Sequence, residues 1–232
     1  MTSRKTFIVE HLDPELGPWS ELEYLTIGKE SKATGSKFIL SSLPTGFKVP
    51  SALEANDAFA AEERGVEELY ASDKSRVCLL DPSASKDLSP EDGDVFDAFL
   101  FGGILEWPQD RTSELRKKGF EGRRLGPKQM TTDTAVRVTR IVVQDKGWSS
   151  PPRGCGKGCP IRGRRDRGAD VIATVALDKV PYVDFPELRF NEHESTEMPF
   201  RYVTDENGQP IMPDGMKELI EKDADKAVDD LF

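Results

Sequence analysis

Four short apolar runs set at intervals along the first hundred residues constrain this chain most. They are Phe7-Ile8-Val9, Phe38-Ile39-Leu40, Val77-Cys78-Leu79-Leu80 and residues 96–101. Each reads as a buried strand bounded by polar or turn residues. Between the first two, Trp19, Leu22, Tyr24, Leu25 and Ile27 recur at roughly helical spacing. Residues 51–68 are rich in Ala and Glu and predict a helix interrupted near Gly65. Ser89-Pro90-Glu91-Asp92 has the proline and carboxylates of a helix start. A short helix is predicted over 112–118 with Asp110 as candidate cap, and a brief strand over 123–125. Strands alternating with helices predict an α/β domain with a largely parallel sheet.

Ligands of such sheets sit outside the carboxyl ends of the strands. Three turns fall there: Asp81-Pro82, Gly102-Gly103 and Leu125-Gly126. The last opens onto Thr131-Thr132-Asp133, the start of a helix predicted over 131–144 with Ala135, Val138 and Val142 on its apolar face. Two ordinary turns and a cradle of backbone amides are both compatible with this pattern. Position at strand ends favours the cradle.

Charged residues make up 32% of the chain, the net charge is −10 and the pI about 4.9. Such a chain repels nucleic-acid phosphates and attracts basic partners, arginine-rich protein segments among them. No run approaches a membrane span, and residues 1–11 turn charged too soon for a signal peptide. Three cysteines indicate no disulfide framework, so the expected compartment is the cytosol.

Residues 147–170 break the α/β pattern. They are rich in Gly, Pro and Arg, with six basic residues against two acidic ones, a net of +4. A flexible insert is the expected reading. Cys155 and Cys159 lack the second ligand pair a zinc site needs, so no metal is expected. Order resumes with a strand at 181–184, an Asn207-Gly208 turn and a terminal helix over 216–232. From Asp214 onward seven acids oppose three lysines, making that helix acidic. One domain spanning 1–232 is expected.

Four strings, LLDP at 79–82, FGGIL at 101–105, RRLGPKQMTTDTA at 123–135 and TEMPFRYV at 196–203, resemble the SPOUT methyltransferases. They are most similar to the superfamily's yeast-type protein arginine methyltransferase branch, which modifies a small-subunit ribosomal protein. The resemblance covers 6–146 and 180–232. It implies a parallel α/β sheet flanked by helices, with the C-terminal part threaded into a deep trefoil knot. It also implies S-adenosylmethionine held by three loops. Carried over, these are Leu80, Asp81 and Pro82; Gly102, Gly103, Ile104 and Leu105; and Arg124, Leu125, Gly126, Met130, Thr131 and Thr132, with Ala135 in the helix behind. The branch further implies a monomer.

The segment after the double glycine departs from the family pattern: Glu106-Trp107-Pro108-Gln109-Asp110-Arg111-Thr112 lacks a Gly, a Pro and an Arg. An arginine acceptor holds its lone pair in a delocalised cation, so carboxylates are needed to clamp it and localise its charge. Glu10, Asp110 and Glu197 are the candidate acids, expected to converge on one sheet edge. Arg111 is a candidate for the cofactor carboxylate, and Tyr202 and Trp107 are either channel walls or core. The expected activity is methyl transfer to an arginine in a basic segment of a ribosomal protein. Two alternatives stand beside it. One is an RNA methyltransferase using the basic insert, the other a ribosome-associated cofactor binder without turnover.

Overall fold

The first apolar run becomes β1 (Thr6–Glu10), followed by α1 (Pro18–Thr34), which begins on proline and closes at Gly35 with φ 71°. The computed structural model describes residues 4–102, 111–144, 175–191 and 194–229. In chain order come β2 (Lys37–Ser41), α2 (Ser51–Glu54), β3 (Phe59–Ala61), α3 (Val66–Leu69) and β4 (Val77–Leu80). Next are α4 (Asp92–Val95), β5 (Ala98–Gly102), α5 (Arg111–Lys117), β6 (Glu121–Arg123) and α6 (Thr132–Val143). The C-terminal part holds β7 (Tyr182–Asp184), β8 (Glu187–Arg189), β9 (Ser195–Glu197), β10 (Arg201–Val203) and α7 (Met216–Asp229).

Six strands form one parallel sheet in the order β3-β2-β1-β5-β4-β6. Glu10 lies opposite both Ser41 and Gly102, which aligns three carboxyl ends. Side chains alternate between faces, so Phe7, Val9, Phe38, Leu40, Phe99 and Phe101 pack with α1 and α6. Ile8, Val77, Leu79 and Leu100 point the other way, onto Val66 of α3 and Leu115 of α5. Burial on both faces is why the strands read as continuous apolar runs. Cys78 is one of these residues, and burial pushes its thiol up to about 12, leaving it a small core side chain.

A smaller cluster of Leu188, Met198 and Tyr202 packs against Trp19 of α1 and Ile220 of α7. It fastens the C-terminal strands to the N-terminal end of α1. The connection between β4 and β5 runs alongside the chain that leads into α6. Arg124 there donates its N–H to the Lys86 carbonyl and accepts the Leu88 N–H, a parallel bridge opposite Asp87, and Gly93 rests against the Val143 carbonyl at the far end of α6.

The helix expected over 51–68 is a correction. It is two single-turn helices with the edge strand β3 between them. Asn56 breaks it: its amide donates to the Gly28 carbonyl at 2.8 Å, and its side-chain oxygen accepts the Ala58 N–H at 3.0 Å. That turn delivers Phe59 to β2, and sheet pairing outweighs the helical propensity of Ala and Glu. α1 runs five residues past the expected Lys29, and the β8–β9 pair was not expected. The insert at 147–170 lies outside the described residues, as do 230–232 of the acidic terminal helix. Among the described residues no helix is long and apolar enough to cross a membrane.

Candidate active site

Asp81 follows β4 and is 3% exposed. Its carboxylate accepts Arg116 Nε at 2.5 Å and Nη2 at 2.9 Å, together with the Ser83 N–H at 2.8 Å. Its own N–H donates to the Arg123 carbonyl at 2.8 Å, tying the ends of β4 and β6 together. Burial works to raise this carboxyl, but Arg116 and the Ser83 N–H outweigh it and hold the group below its usual range. Asp81 therefore shapes its loop, while Leu80 is buried beneath it and Pro82 is exposed. Arg116→Ala should cost about 1–2 kcal/mol in chemical denaturation, the low end reflecting solvent screening of its partly exposed head group.

Gly102 ends β5 half-buried. Gly103, Ile104, Leu105, Trp107 and Asp110 lie outside the described residues, as does the side chain of Arg111.

The third loop is pinned at both ends. Arg124 donates its N–H to Lys86 and accepts from Leu88, each at 2.9 Å, and its side chain pairs with Asp87. Leu125 packs on the core, and Gly126 takes φ 92°, a conformation that favours glycine. Among the described residues only the Arg201 guanidinium would approach a Cβ there, at 3.8 Å. Met130 bridges to Arg201, whose guanidinium pairs with Asp184 and lies 4.6 Å over the Tyr182 ring. Lys128 reaches the same Asp184 at 2.7 Å, and the two cations hold that carboxyl at about 2. Thr131 starts α6 in extended conformation, accepting the Ala135 N–H at 2.9 Å. Ala135 is partly buried against the core.

Thr132 leads to a buried charge cluster. Its N–H donates to Oε1 of Glu23 at 3.2 Å, which also accepts Trp19 Nε1 at 3.2 Å. About two helical turns on from Glu23, Glu30 accepts Arg137 at 2.7 Å and Arg140 at 2.5 Å, while Arg137 also reaches Asp133 at 3.2 Å. Oε2 of Glu23, Oδ1 of Asp133 and the Tyr202 hydroxyl are buried without a hydrogen-bond partner. Burial, then the charge of Asp133, pushes the Glu23 carboxyl well above the usual range. Burial also raises Asp133, against the pull of Arg137. The Tyr202 phenol is raised by burial and by both carboxyls. Tyr202 is thus core and not a channel wall.

These loops fall inside a stretch with known relatives. A family profile described as "Protein arginine N-methyltransferase SFM1-like" matches residues 6–227. The chain belongs to this family. It is 39% identical over 240 residues to the protein arginine N-methyltransferase SFM1 of Saccharomyces cerevisiae, covering 97% of this chain and 99% of that one. Crystal structures of the yeast arginine methyltransferase SFM1 complexed with SAM and with SAH superpose with TM-scores of 0.75 and 0.73, each at 37% identity. They cover 95% and 93% of this chain and 91% and 94% of theirs. The parallel sheet flanked by helices is shared with them, as the SPOUT resemblance implied.

Within this SFM1-like fold two of the expected acids, Glu10 and Glu197, are described, and they have different surroundings. Glu10 is wholly buried, accepting from the Ser41 and Ser42 hydroxyls, the Val66 N–H and Lys118 Nζ at 3.0 Å. Lys118 also holds Glu67 at 2.7 Å, so Glu10 locks the ends of β1 and β2 to α3 and the exit of α5. Among the described residues these four partners enclose its carboxylate. Glu197 is exposed on β9 opposite Glu187 and shares no partner with Glu10. Asp110 lies outside the described residues. Sequence reading missed Glu23, Glu30, Arg116 and Arg137. The available signal was the spacing of Asp133, Arg137 and Arg140 along one face of a helix whose remaining positions are apolar residues and threonines.

Proposed function

We propose that this arginine methyltransferase takes its methyl group from S-adenosylmethionine and delivers it to an arginine in a basic segment of a small-subunit ribosomal protein. One observation carries the reading. The carboxyl ends of β4, β5 and β6 lie together at one end of the parallel sheet, in a chain 37% identical to the yeast enzyme complexed with SAM. Bound cofactor would supply an electrophilic methyl group on sulfur. Leu80, Asp81 and Pro82, Gly102 to Leu105, Arg124 to Gly126 and Met130 to Thr132 are the residues proposed to hold it, with Ala135 behind. The left-handed Gly126, with only the Arg201 side chain near a would-be Cβ among the described residues, fits close approach of a ligand to the backbone. The Asp81–Arg116 pair and the bonds between residues 86–88 and 124 keep two of the loops in place before anything binds, which lowers the cost of ordering on binding.

The acceptor side needs carboxylates, and Glu197 and Asp110 are the proposed ones; Glu10 acts behind the site by fixing the strand ends. A net charge of −10 supports attraction of an arginine-rich target over RNA. The passage of the β4–β5 connection along both ends of α6 supports the trefoil knot of the SPOUT resemblance. Exposed large apolar side chains among the described residues (Leu12, Val95 and Phe185) are scattered, which supports a monomer.

The test is incubation with methyl-labelled S-adenosylmethionine and separated small-subunit ribosomal proteins, followed by hydrolysis and amino-acid analysis. Label on methylarginine from one protein is the expected result. Label confined to RNA, or none on any protein while the cofactor binds, would overturn it.

A further inference from the structure

The cluster between α1 and α6 contains three carboxyl groups, Glu23, Glu30 and Asp133, and two guanidinium groups, Arg137 and Arg140. Glu30 occupies both cations, and Asp133 shares Arg137. Glu23, 0% exposed, has no cation paired with it among the described residues. Tyr202 of β10 is the titratable group facing the carboxyls from the third element packed here, and it brings no positive charge. A buried carboxylate without a counter-ion is far costlier than a buried acid. Two of the orphaned atoms, Oε2 of Glu23 and Oδ1 of Asp133, are both acceptors when ionised. The two carboxyls feel each other's charge, and a single proton shared between these atoms would satisfy both.

We propose that Glu23 is a positioning residue that works as a neutral carboxylic acid, donating from Oε2 to Oδ1 of Asp133 while Oε1 holds the Thr132 N–H. The acid thereby sets the first residue of α6 and, through it, the 130–132 loop. This rests on the cofactor reading of that loop. The sign of the pH dependence follows from the high proton affinity of Glu23 in the fold. The proton stays bound in the folded chain and is lost from the unfolded one, so stability is full in acid and declines as pH rises.

Glu23→Gln keeps the shape, accepts from Trp19 and Thr132, and donates to Asp133 as the acid does. Thermal unfolding from about pH 5 to pH 9 should show the wild type losing ground to E23Q, by about 4 °C or more at the alkaline end. Calorimetry with S-adenosylmethionine should give E23Q an affinity within about threefold of wild type, and Glu23→Ala a loss of about tenfold or more. Parallel melting profiles for wild type and E23Q would overturn the shared proton. An affinity for E23Q as low as that of E23A would overturn the neutral positioning role and point to a needed charge. Should E23A not fold, the E23Q comparison decides alone. Failure of the wild type to bind the cofactor would sink the cofactor reading, and the melting profiles would still test the proton.

Discussion

Glu30→Ala should destabilise the chain by about 3–5 kcal/mol, because it removes the carboxylate that Arg140 pairs with and leaves buried Arg137 with Asp133 alone. Arg137 and Arg140 have side chains only 5% exposed, and Glu30 accepts from both. Burial tends to raise the Glu30 carboxyl, yet the two positive charges outweigh it and hold it at about 2. A depressed carboxyl contributes stability above its ordinary value of 4.5, and loses it as pH falls toward 2. That contribution is on the order of 3 kcal/mol at neutral pH. Urea denaturation at neutral pH, repeated down an acid series, measures both. The variant should lie far below wild type at neutral pH and converge with it in acid. A neutral-pH difference under about 1 kcal/mol would show that water or another acid takes over the two arginines.

The second large effect is expected at Gly93. A Cβ there would stand deep inside van der Waals contact with the Val143 carbonyl, and the obstacle is backbone. The glycine cannot retreat either, since Lys5 Nζ donates to its carbonyl at 2.5 Å and to that of Phe96 at 2.8 Å. Gly93→Ala must therefore push α4 away from the end of α6, at a cost of about 3 kcal/mol. Gly17→Ala is the control, having nothing within 4 Å of its would-be Cβ. Thermal melting should separate the pair clearly; equal melting temperatures would mean that the Gly93–Val143 contact is relaxed in solution.

The parallel sheet was legible because β1, β2, β4 and β5 are buried on both faces, so their residues form unbroken apolar runs. β3 was hidden: Phe59-Ala60-Ala61 sits among residues with helical preference, and a side-chain bond from Asn56 to Gly28, distant in sequence, decides the outcome. The loops at 80–82 and 124–132 were visible through glycine and proline at strand ends. Glu23 was not, since a glutamate in a surface-type helix reads as solvated until another helix covers it. Glu10 was noticed for its place at a strand end, but the sequence held no sign that Ser41, Ser42, Val66 and Lys118 would enclose it.

The bonds between residues 86–88 and Arg124 have a consequence for how the molecule comes apart. Freeing the 124–131 loop means also lifting the β4–β5 connection, whose other end is pressed against α6 at Gly93. The loop therefore has no private route to disorder. Its fluctuations are coupled to those of the central strands, and amide exchange in the two should slow and quicken together as conditions change. A methyl donor bound there would tighten not a flap at the rim but the middle of the domain.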